Sequence, residues 1–373
     1  MLLKKNIYDF FDYFFIHLSE MKEEKLKTQK KISSKSQLIT RERYDNVWKV
    51  IFSVFLILSF IGIFYLIRDI SKFRSKLISL NPNYDFPKMS DFKICIPLFI
   101  IISLIKYIAQ KYLVSFCSRV MKKSYRFPTN EKDRQLGERY KYKLPDHIFK
   151  GSMYLFLTLF GYYVLKDLNY FPKALLGKGS LPNMFVKGYP NSFYLEKPPL
   201  FNFYYMLCLS YFSSDAIWLI FINAKQSDFI KMFLHHVCTI SLIIFSYLVN
   251  YSNVGSLVLL LHIATDIFVH LTRFSIQTDL PDFIKLGNGI ALYFSFIYLR
   301  MYVLGKIIYV LYYDVTWKGV VDSFLLFFLI IIFFMHIDWI IMLTSKFVDF
   351  FMGKGMKDTR EYKVNVKEPT KKE

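Results

Sequence analysis

Cysteine is scarce in this sequence, and its few copies show no regular pattern. Four of the 373 residues are cysteine, and no two of them form a CxxC pair. All four lie in or beside apolar runs, at Cys95, Cys117, Cys208 and Cys238. The pattern argues against a disulfide framework and against a cysteine-based zinc site, and it predicts small buried hydrophobic residues instead.

Other motifs that would identify a soluble enzyme are also missing. The seven histidines form no HxxHH or HExxH arrangement, and we therefore expect no metal. The sequence contains no GxSxG element, no Walker loop and no setting for a catalytic cysteine. The segment Met1–Leu18 is apolar only in patches, so we expect no cleavable signal peptide.

What the sequence has in abundance is apolar residues concentrated in blocks. Apolar residues make up 54% of the chain, and the mean hydropathy is +0.29 although 21% of residues are charged. Such a balance argues against a disordered chain and predicts a polytopic membrane protein. The net charge of +20 alternates with the apolar blocks. We therefore expect the basic residues to face membrane lipids and not nucleic acid.

The apolar blocks predict an all-α bundle of transmembrane helices with about eight spans. The second block contains Lys106 and Lys111, and the third is short, so seven spans is the alternative. The predicted spans are residues 48–67, 94–116, 152–165, 200–222, 229–249, 254–271, 290–312 and 320–344.

Lysine and arginine are unevenly distributed between the predicted loops. Alternate segments, including both termini, carry 31 of these residues, and the opposite set carries 12. Because cytosolic loops carry the excess, both termini are predicted to be cytosolic. We interpret residues 1–47 as a cytosolic arm, 48–142 as the first two spans with their loops, and 346–373 as a basic cytosolic tail.

Several ionisable residues lie inside the predicted spans, where they are costly and therefore functional candidates. With the predicted orientation, His235 lies about six residues from the cytosolic end of its span, roughly 9 Å at 1.5 Å per residue. Four others fall at a similar depth: Asp215, Asp266, His336 and Asp338. His262 and Asp266 are four residues apart and share a helix face. This common depth predicts a polar site near the cytosolic face.

Structural interpretations of the same residues remain open. Asp215 and Asp338 are also explained by pairing with Arg300 or a lysine between helices. His270 and Arg273 are interpreted as facing headgroups. The aromatic run Phe201–Tyr205 is typical of an interfacial or lipid-facing surface.

One stretch resembles the signature of ceramide synthases, the longevity-assurance branch of the TLC-domain membrane proteins. Asp228–Tyr247 reads DFIKMFLHHVCTISLIIFSY and is similar to the family pattern DFxxMxxHHxxTxxLxxxSY. Asn250, Gly255, His262 and Asp266 follow at positions that resemble its later elements.

Three further elements extend the resemblance to residues 143–345. Lys143–Lys150 is similar to the family's entry motif, Phe296–Arg300 to a later F…R element, and Met335–Trp339 to an LHxxW element. The sequence departs from the family at Ile263, where the first Asp of the HDxxD element usually stands. This departure leaves two alternatives open, namely that the chain is a divergent member of the family or an inactive one.

The resemblance implies a sphingoid base N-acyltransferase that uses fatty acyl-CoA as co-substrate and needs no cofactor. It places the protein in the endoplasmic reticulum membrane, with membrane lipids, acyl-CoA and a sphingoid base as partners and a homo- or heterodimer as an option. The alternative is a non-catalytic TLC-domain protein that binds, transfers or helps to translocate lipids.

Acyl transfer to an amine requires a base or an acyl acceptor, and imidazole suits both roles. We predict His235 in one of these roles, with His236 as its partner and Asp266 holding the imidazole in its correct tautomer. The expected substrate-binding residues are His262, Asp228, Thr239, Arg300 and Asp215. The basic segment 117–151, interpreted as a cytosolic loop, is expected to attract either the phosphates of CoA or anionic lipid.

Overall fold

The computed structural model describes residues 86–184, 197–221, 228–314 and 320–354, together with part of 54–82. Within these ranges all regular elements are helical, and extended pairing is limited to two isolated bridges. The predicted arm 1–47 and the end of the tail, 355–373, lie outside the described residues, as does most of the predicted span 48–67. The described residues from Ile61 onward form one compact unit.

Nine helices follow one another in the described part of the chain after a helical stretch at 67–76. They are α1 (Cys95–Val120), α2 (Lys123–Arg126), α3 (Glu131–Leu165), α4 (Phe201–Phe221), α5 (Phe229–Leu248), α6 (Ser252–Gln277), α7 (Asp282–Ser295), α8 (Leu304–Asp314) and α9 (Val320–Asp349). A 3₁₀ turn at Met89–Ile94 leads into α1, and the π-helical segment Phe296–Val303 joins α7 to α8.

Six helical stretches in the described residues are long and apolar enough to cross a membrane. They are Met89–Val120, Glu131–Leu165, Phe229–Leu248, Ser252–Gln277, Asp282–Tyr313 and Ser323–Met352. Each overlaps one of the predicted spans, and the predicted all-α polytopic membrane protein is confirmed. The predicted span 200–222 is helical as α4 but is not among the six, because Tyr, Ser, Asn and Asp residues lower its hydropathy.

The prediction of a loop over 117–151 is wrong for most of that segment. α3 begins at Glu131, where Asn130 caps the helix by accepting a hydrogen bond from the backbone N–H of Asp133 at 2.8 Å. Its first half is polar and contains Pro145, so neither hydropathy nor propensity indicated a helix there. The third span is therefore the apolar end of a 35-residue helix.

α6 occupies the centre of the bundle and is the most buried of the six candidate spans, packed against α3, α5 and α7. The apolar core continues onto α4, where Phe201, Tyr204 and Tyr205 are buried. The interpretation of this aromatic run as an interfacial or lipid-facing surface is therefore wrong for these three residues, whereas Phe203 is exposed. All four cysteines are free, and three of them are buried, as the sequence predicted.

The π-helical segment Phe296–Val303 directs Arg300 into the bundle, where only 2% of the residue is exposed. A π turn inserts an extra residue into the helical register and is common at functional sites. The segment therefore supplies a buried guanidinium to the region where the polar residues of α5 and α6 meet.

Candidate active site

Four buried histidines from three helices lie together near the middle of the bundle. His235 and His236 come from α5, His262 from α6 and His336 from α9, and each is at most 5% exposed. The ring centroids of His235 and His262 are 6.1 Å apart, and those of His262 and His336 are 4.8 Å apart. Trp339, one turn beyond His336, meets the ring of His235 edge-on at 5.5 Å.

Several polar atoms of this cluster are buried and lack a hydrogen-bond partner in the described part of the chain. The Nδ1 atom of His262 lies 2.6 Å from the carbonyl oxygen of Val258, which assigns the proton to Nδ1 and leaves Nε2 unpaired. His235 Nδ1 and Thr239 Oγ1 are also unpaired. Because buried polar atoms are usually satisfied, these atoms indicate where a polar ligand group would bind.

A cluster of four charged side chains lies beside His236. Lys106 Nζ is 3.0 Å from Asp215 Oδ1 and 3.3 Å from Asp146 Oδ1. Lys150 Nζ is 2.7 Å from Asp215 Oδ1, and His236 Nε2 is 3.7 Å from Asp215 Oδ2. Two lysines thus balance two aspartates, and Asp215 faces the imidazole.

Asp266 has a different partner from the one expected from the sequence. Its carboxylate accepts a hydrogen bond from Arg300 Nη2 at 2.5 Å, and the same nitrogen donates to the carbonyl oxygen of His262 at 3.0 Å. Asp266 therefore fixes the guanidinium, whereas Asp215 is the carboxylate that faces the histidine pair. Asp338 pairs with Lys231 at 2.6 Å, so the interpretation of Asp215 and Asp338 as partners of lysines between helices is confirmed.

Three of the four histidines line two cavities, His235 and His236 the larger one and His262 the smaller one. The larger, of about 170 Å³, has a mixed lining whose polar side chains include Asp215, Asp228, His235, His236, Asp266 and Arg300. The smaller, of about 60 Å³, is almost entirely apolar and is lined by Thr239 and His262 together with leucine, isoleucine and valine side chains. All eight site residues predicted from the sequence line one cavity or the other.

The larger cavity is also lined by basic side chains from several helices, among them Lys143, Arg273 and Lys346. His270 lines this cavity as well, is buried, and lies with its Nδ1 atom 3.1 Å from Nδ1 of His147. The interpretation of His270 as a headgroup-facing residue is therefore wrong.

Five side chains that complete the site are not among the site residues predicted from the sequence. His336 was recognised as a polar residue within a span, but its contact with His262 depends on packing between α6 and α9. Lys106 carried a usable signal, since a lysine inside an apolar block is costly, but it was interpreted only as uncertainty in the span count. The others are Asp146, Lys150 and Trp339, which lie in the motifs at 143–150 and 335–339.

No group of three or more His, Cys, Asp or Glu side chains is placed to hold a metal ion among the residues that the structure describes. Aromatic side chains pack beside the histidine cluster. Phe296 and Trp339 pack against His336 with ring centroids 5.6 Å and 5.8 Å away. The arrangement is suited to proton transfer or acyl acceptance at unpaired imidazole nitrogens.

Comparison with known protein families gives a match to the TLC domain over residues 143–345, which is more than half of the chain. The chain belongs to the TLC-domain family. The matched segment contains the four histidines, Asp215, Asp266 and Arg300, whereas Lys106 lies outside it.

Curated relatives of this TLC-domain chain include several ceramide synthases. It is 27% identical over 212 residues to "Ceramide synthase hyl-1" of Caenorhabditis elegans, covering 53% of this chain and 54% of the relative. It is 30% identical over 187 residues to human "Ceramide synthase 4", covering 48% and 45%. It is 37% identical over 71 residues to "Ceramide synthase 1 LOH3" of Arabidopsis thaliana, covering 19% and 23%. The chain thus matches about half or less of the length of these relatives.

Proposed function

We propose that this protein is a histidine-dependent acyltransferase that joins the acyl group of a fatty acyl-CoA to the amine of a sphingoid base, giving a (dihydro)ceramide and free CoA. The observation that carries the proposal is that His235 and His236 line a larger cavity with charged side chains, while His262, whose ring neighbours that of His235, lines a smaller apolar cavity. The ceramide synthases among its relatives supply the substrate class.

The two cavities suit the two halves of an acyl-CoA. The basic side chains Lys143, Arg273 and Lys346 complement phosphates at the larger cavity, since positive charge raises the local concentration of anionic ligands. The apolar lining of the smaller cavity complements a hydrocarbon chain. A thioester between them would lie against His235 and His262.

The reaction forms an amide C–N bond, breaks the thioester C–S bond and moves one proton from the amine to the leaving thiolate. His235 performs the central step in one of two ways. As a base, it takes the proton from the amine during attack on the thioester. As an acyl acceptor, it forms an acyl-imidazole that the amine then attacks. Mass spectrometry of the protein with acyl-CoA alone separates the two routes, because only the second adds the acyl mass to His235.

The surroundings of the two adjacent histidines support different roles. His236 faces the carboxylate of Asp215, which orients the ring and stabilises an imidazolium during proton transfer. Arg300 lines the larger cavity with an Nε–H that is unpaired among the described residues, and that donor suits the oxygen of a tetrahedral intermediate. Asp266 holds the guanidinium in place for this purpose.

The proposal extends to location and topology. The endoplasmic reticulum membrane is the proposed compartment, with both termini and the basic mouth of the larger cavity on the cytosolic side, where acyl-CoA is available. The charge asymmetry of the predicted loops supports this orientation.

The deciding experiment incubates microsomes of a host that lacks its own ceramide synthases with a panel of acyl-CoAs and sphingoid bases. Amide product that depends on both substrates, and that is absent from vector-only microsomes, supports the proposal. Binding of a photoreactive sphingoid base without amide formation would instead support the alternative of a non-catalytic lipid-binding, lipid-transfer or translocation-associated protein.

A further inference from the structure

Lys106 is a buried lysine in a helix most of whose residues are not buried. It lies on α1, the candidate span with the smallest buried share, yet only 1% of Lys106 itself is exposed. A lysine in the hydrocarbon region costs several kcal/mol unless it is paired, so its position requires an explanation. The segment matched to the TLC domain begins at residue 143 and therefore does not include it.

The contacts of Lys106 lead directly to the histidine pair. Its Nζ atom lies 3.0 Å from one oxygen of Asp215, and the other oxygen of Asp215 lies 3.7 Å from His236 Nε2. The same Nζ atom is 3.3 Å from Asp146 and 4.9 Å from the centroid of the Trp218 ring. One ammonium thus joins α1 to α3 and α4 and fixes the carboxylate that faces His236.

The charges around Asp215 are balanced only when Lys106 is present. Lys106 and Lys150 carry two positive charges, and Asp146 and Asp215 carry two negative charges. Without Lys106, one negative charge would remain uncompensated beside His236, and the carboxylate of Asp215 would lose one of the two lysines that hold it in place. The other titratable groups around the two cavities include His235, His262, His147, His270 and the Asp266–Arg300 pair.

We propose that Lys106 is a positioning residue that acts through Asp215, holding its carboxylate toward His236 and balancing the negative charge beside that imidazole. The consequence for acyl transfer rests on the function proposed above. The effect on His236 itself does not, and it can be measured without turnover.

The kinetic test compares Lys106→Met, Lys106→Arg, Asp146→Asn and the double variant Lys106→Met/Asp146→Asn. Lys106→Met is expected to lower kcat about 10- to 100-fold with little change in KM for acyl-CoA, the equivalent of one lost hydrogen bond to a charged group. Asp146→Asn added to Lys106→Met restores charge balance and should recover part of the loss. Lys106→Arg should retain most of the activity. Lys111→Met, at an exposed position of the same helix, is the matched control.

A purely structural lysine would give a different pattern. Lys106→Met would then reduce the amount of folded protein, and the activity per folded molecule would stay unchanged. The double variant would be no better than Lys106→Met alone, because Asp146→Asn restores charge but no packing. Either result overturns the proposal, as does full activity of Lys106→Met.

The second test measures the reactivity of His236 with diethyl pyrocarbonate, which modifies neutral imidazoles, by peptide mass spectrometry. Slower modification of His236 in Lys106→Met than in Lys111→Met, with recovery in the double variant, supports the proposal. Equal rates in Lys106→Met and Lys111→Met overturn it. If the wild-type protein makes no amide, the proposed function fails, while this measurement still decides the role of Lys106.

Discussion

At the residue scale, the two adjacent histidines of α5 have unlike surroundings. His235 packs against the rings of Trp339 and His262, and its Nδ1 atom is unpaired in the described part of the chain. His236 faces Asp215. Successive residues on a helix point about 100° apart, so one backbone segment presents an imidazole to each environment. This difference favours distinct roles for His235 and His236 over a mechanism in which both act as equivalent bases.

Replacement of either histidine tests these roles. His235→Ala and His236→Ala are each expected to reduce amide formation to the background of the assay, while the protein still inserts and accumulates. The reason is that both rings line the larger cavity, where His235 presents an Nδ1 atom without a hydrogen-bond partner among the described residues and His236 faces Asp215. Amide formation by liquid chromatography and mass spectrometry is the measurement. Cys238→Ala, a buried change on the same helix, should keep activity. Full activity in both histidine variants would rule out the mechanism.

A second prediction concerns Ile263, which occupies the position where the ceramide synthase pattern usually has an aspartate. Ile263 is fully buried in the apolar core. Ile263→Asp should therefore destabilise the protein by a few kcal/mol, because it buries an unpaired charge. Thermal unfolding of the detergent-solubilised protein measures the effect, with Ile263→Leu as a size-matched control. A gain of activity in Ile263→Asp would instead indicate that the wild-type chain is a lapsed enzyme.

At the element scale, hydropathy predicted the helices that are apolar along their whole length. The block at 229–249 became α5 and the block at 94–116 became most of α1. Hydropathy could not predict the first half of α3, since polar residues and Pro145 give no transmembrane signal. It also could not predict the π-helical register at Phe296–Val303, which depends on packing of α7 and α8 against their neighbours and not on local composition.

The segment that leads into α4 gives a prediction about pH. Lys197 is mostly buried near the rings of Phe201 and Tyr247, with its Nζ atom 5.5 Å and 5.6 Å from their centroids. Burial lowers the pKa of Lys197 to about 8, although Asp91 acts in the opposite direction. The unfolded chain, with an ordinary lysine pKa of about 10.4, binds more protons between these two values. Stability should therefore rise as pH increases from about 8 to about 10.

Lys197→Met should raise the unfolding temperature at pH 7 and reduce the increase between pH 8 and pH 10. Thermal unfolding of the solubilised protein at several pH values measures both effects. Lys178→Met, in the same loop region and at a more exposed position, serves as the control for loss of one positive charge. An identical pH profile for Lys197→Met and the wild-type protein would contradict the assignment of Lys197 as a buried, easily deprotonated lysine.

At the scale of the whole molecule, the predicted topology places both termini in the cytosol. The prediction rests on the distribution of lysine and arginine, because one set of predicted inter-span segments carries 31 of these residues and the other set carries 12. A tag at the C-terminus should be digested by protease added to sealed microsomes, and a lumenal marker protein should remain intact as the control. Protection of the tag would reverse the orientation and would place the basic mouth of the larger cavity on the lumenal side.

The sequence allowed most of the site's members to be identified, but few of their pairings. His235, His236, His262 and Asp266 stand out because polar residues inside apolar helices are rare. Which carboxylate serves which cation depends on helix rotation and on contacts between helices distant in sequence. Asp215 meets Lys106 across 109 positions and Asp266 meets Arg300 across 34. The sequence predicts how deep each polar side chain lies in the membrane, but it does not predict which neighbouring helix that side chain faces.

The position of Lys106 shows that the limits of the sequence match to the family differ from the limits of the structural unit. The region shared with the TLC-domain family begins at residue 143, in the middle of α3, and ends at 345 within α9. A recombinant fragment or a chimaera cut at those positions would sever two helices and leave Asp146 and Asp215 without one of their counter-ions. The modular unit for transplantation between relatives is therefore longer than the unit of sequence homology. It must begin before α1, and its downstream junction belongs beyond Asp349.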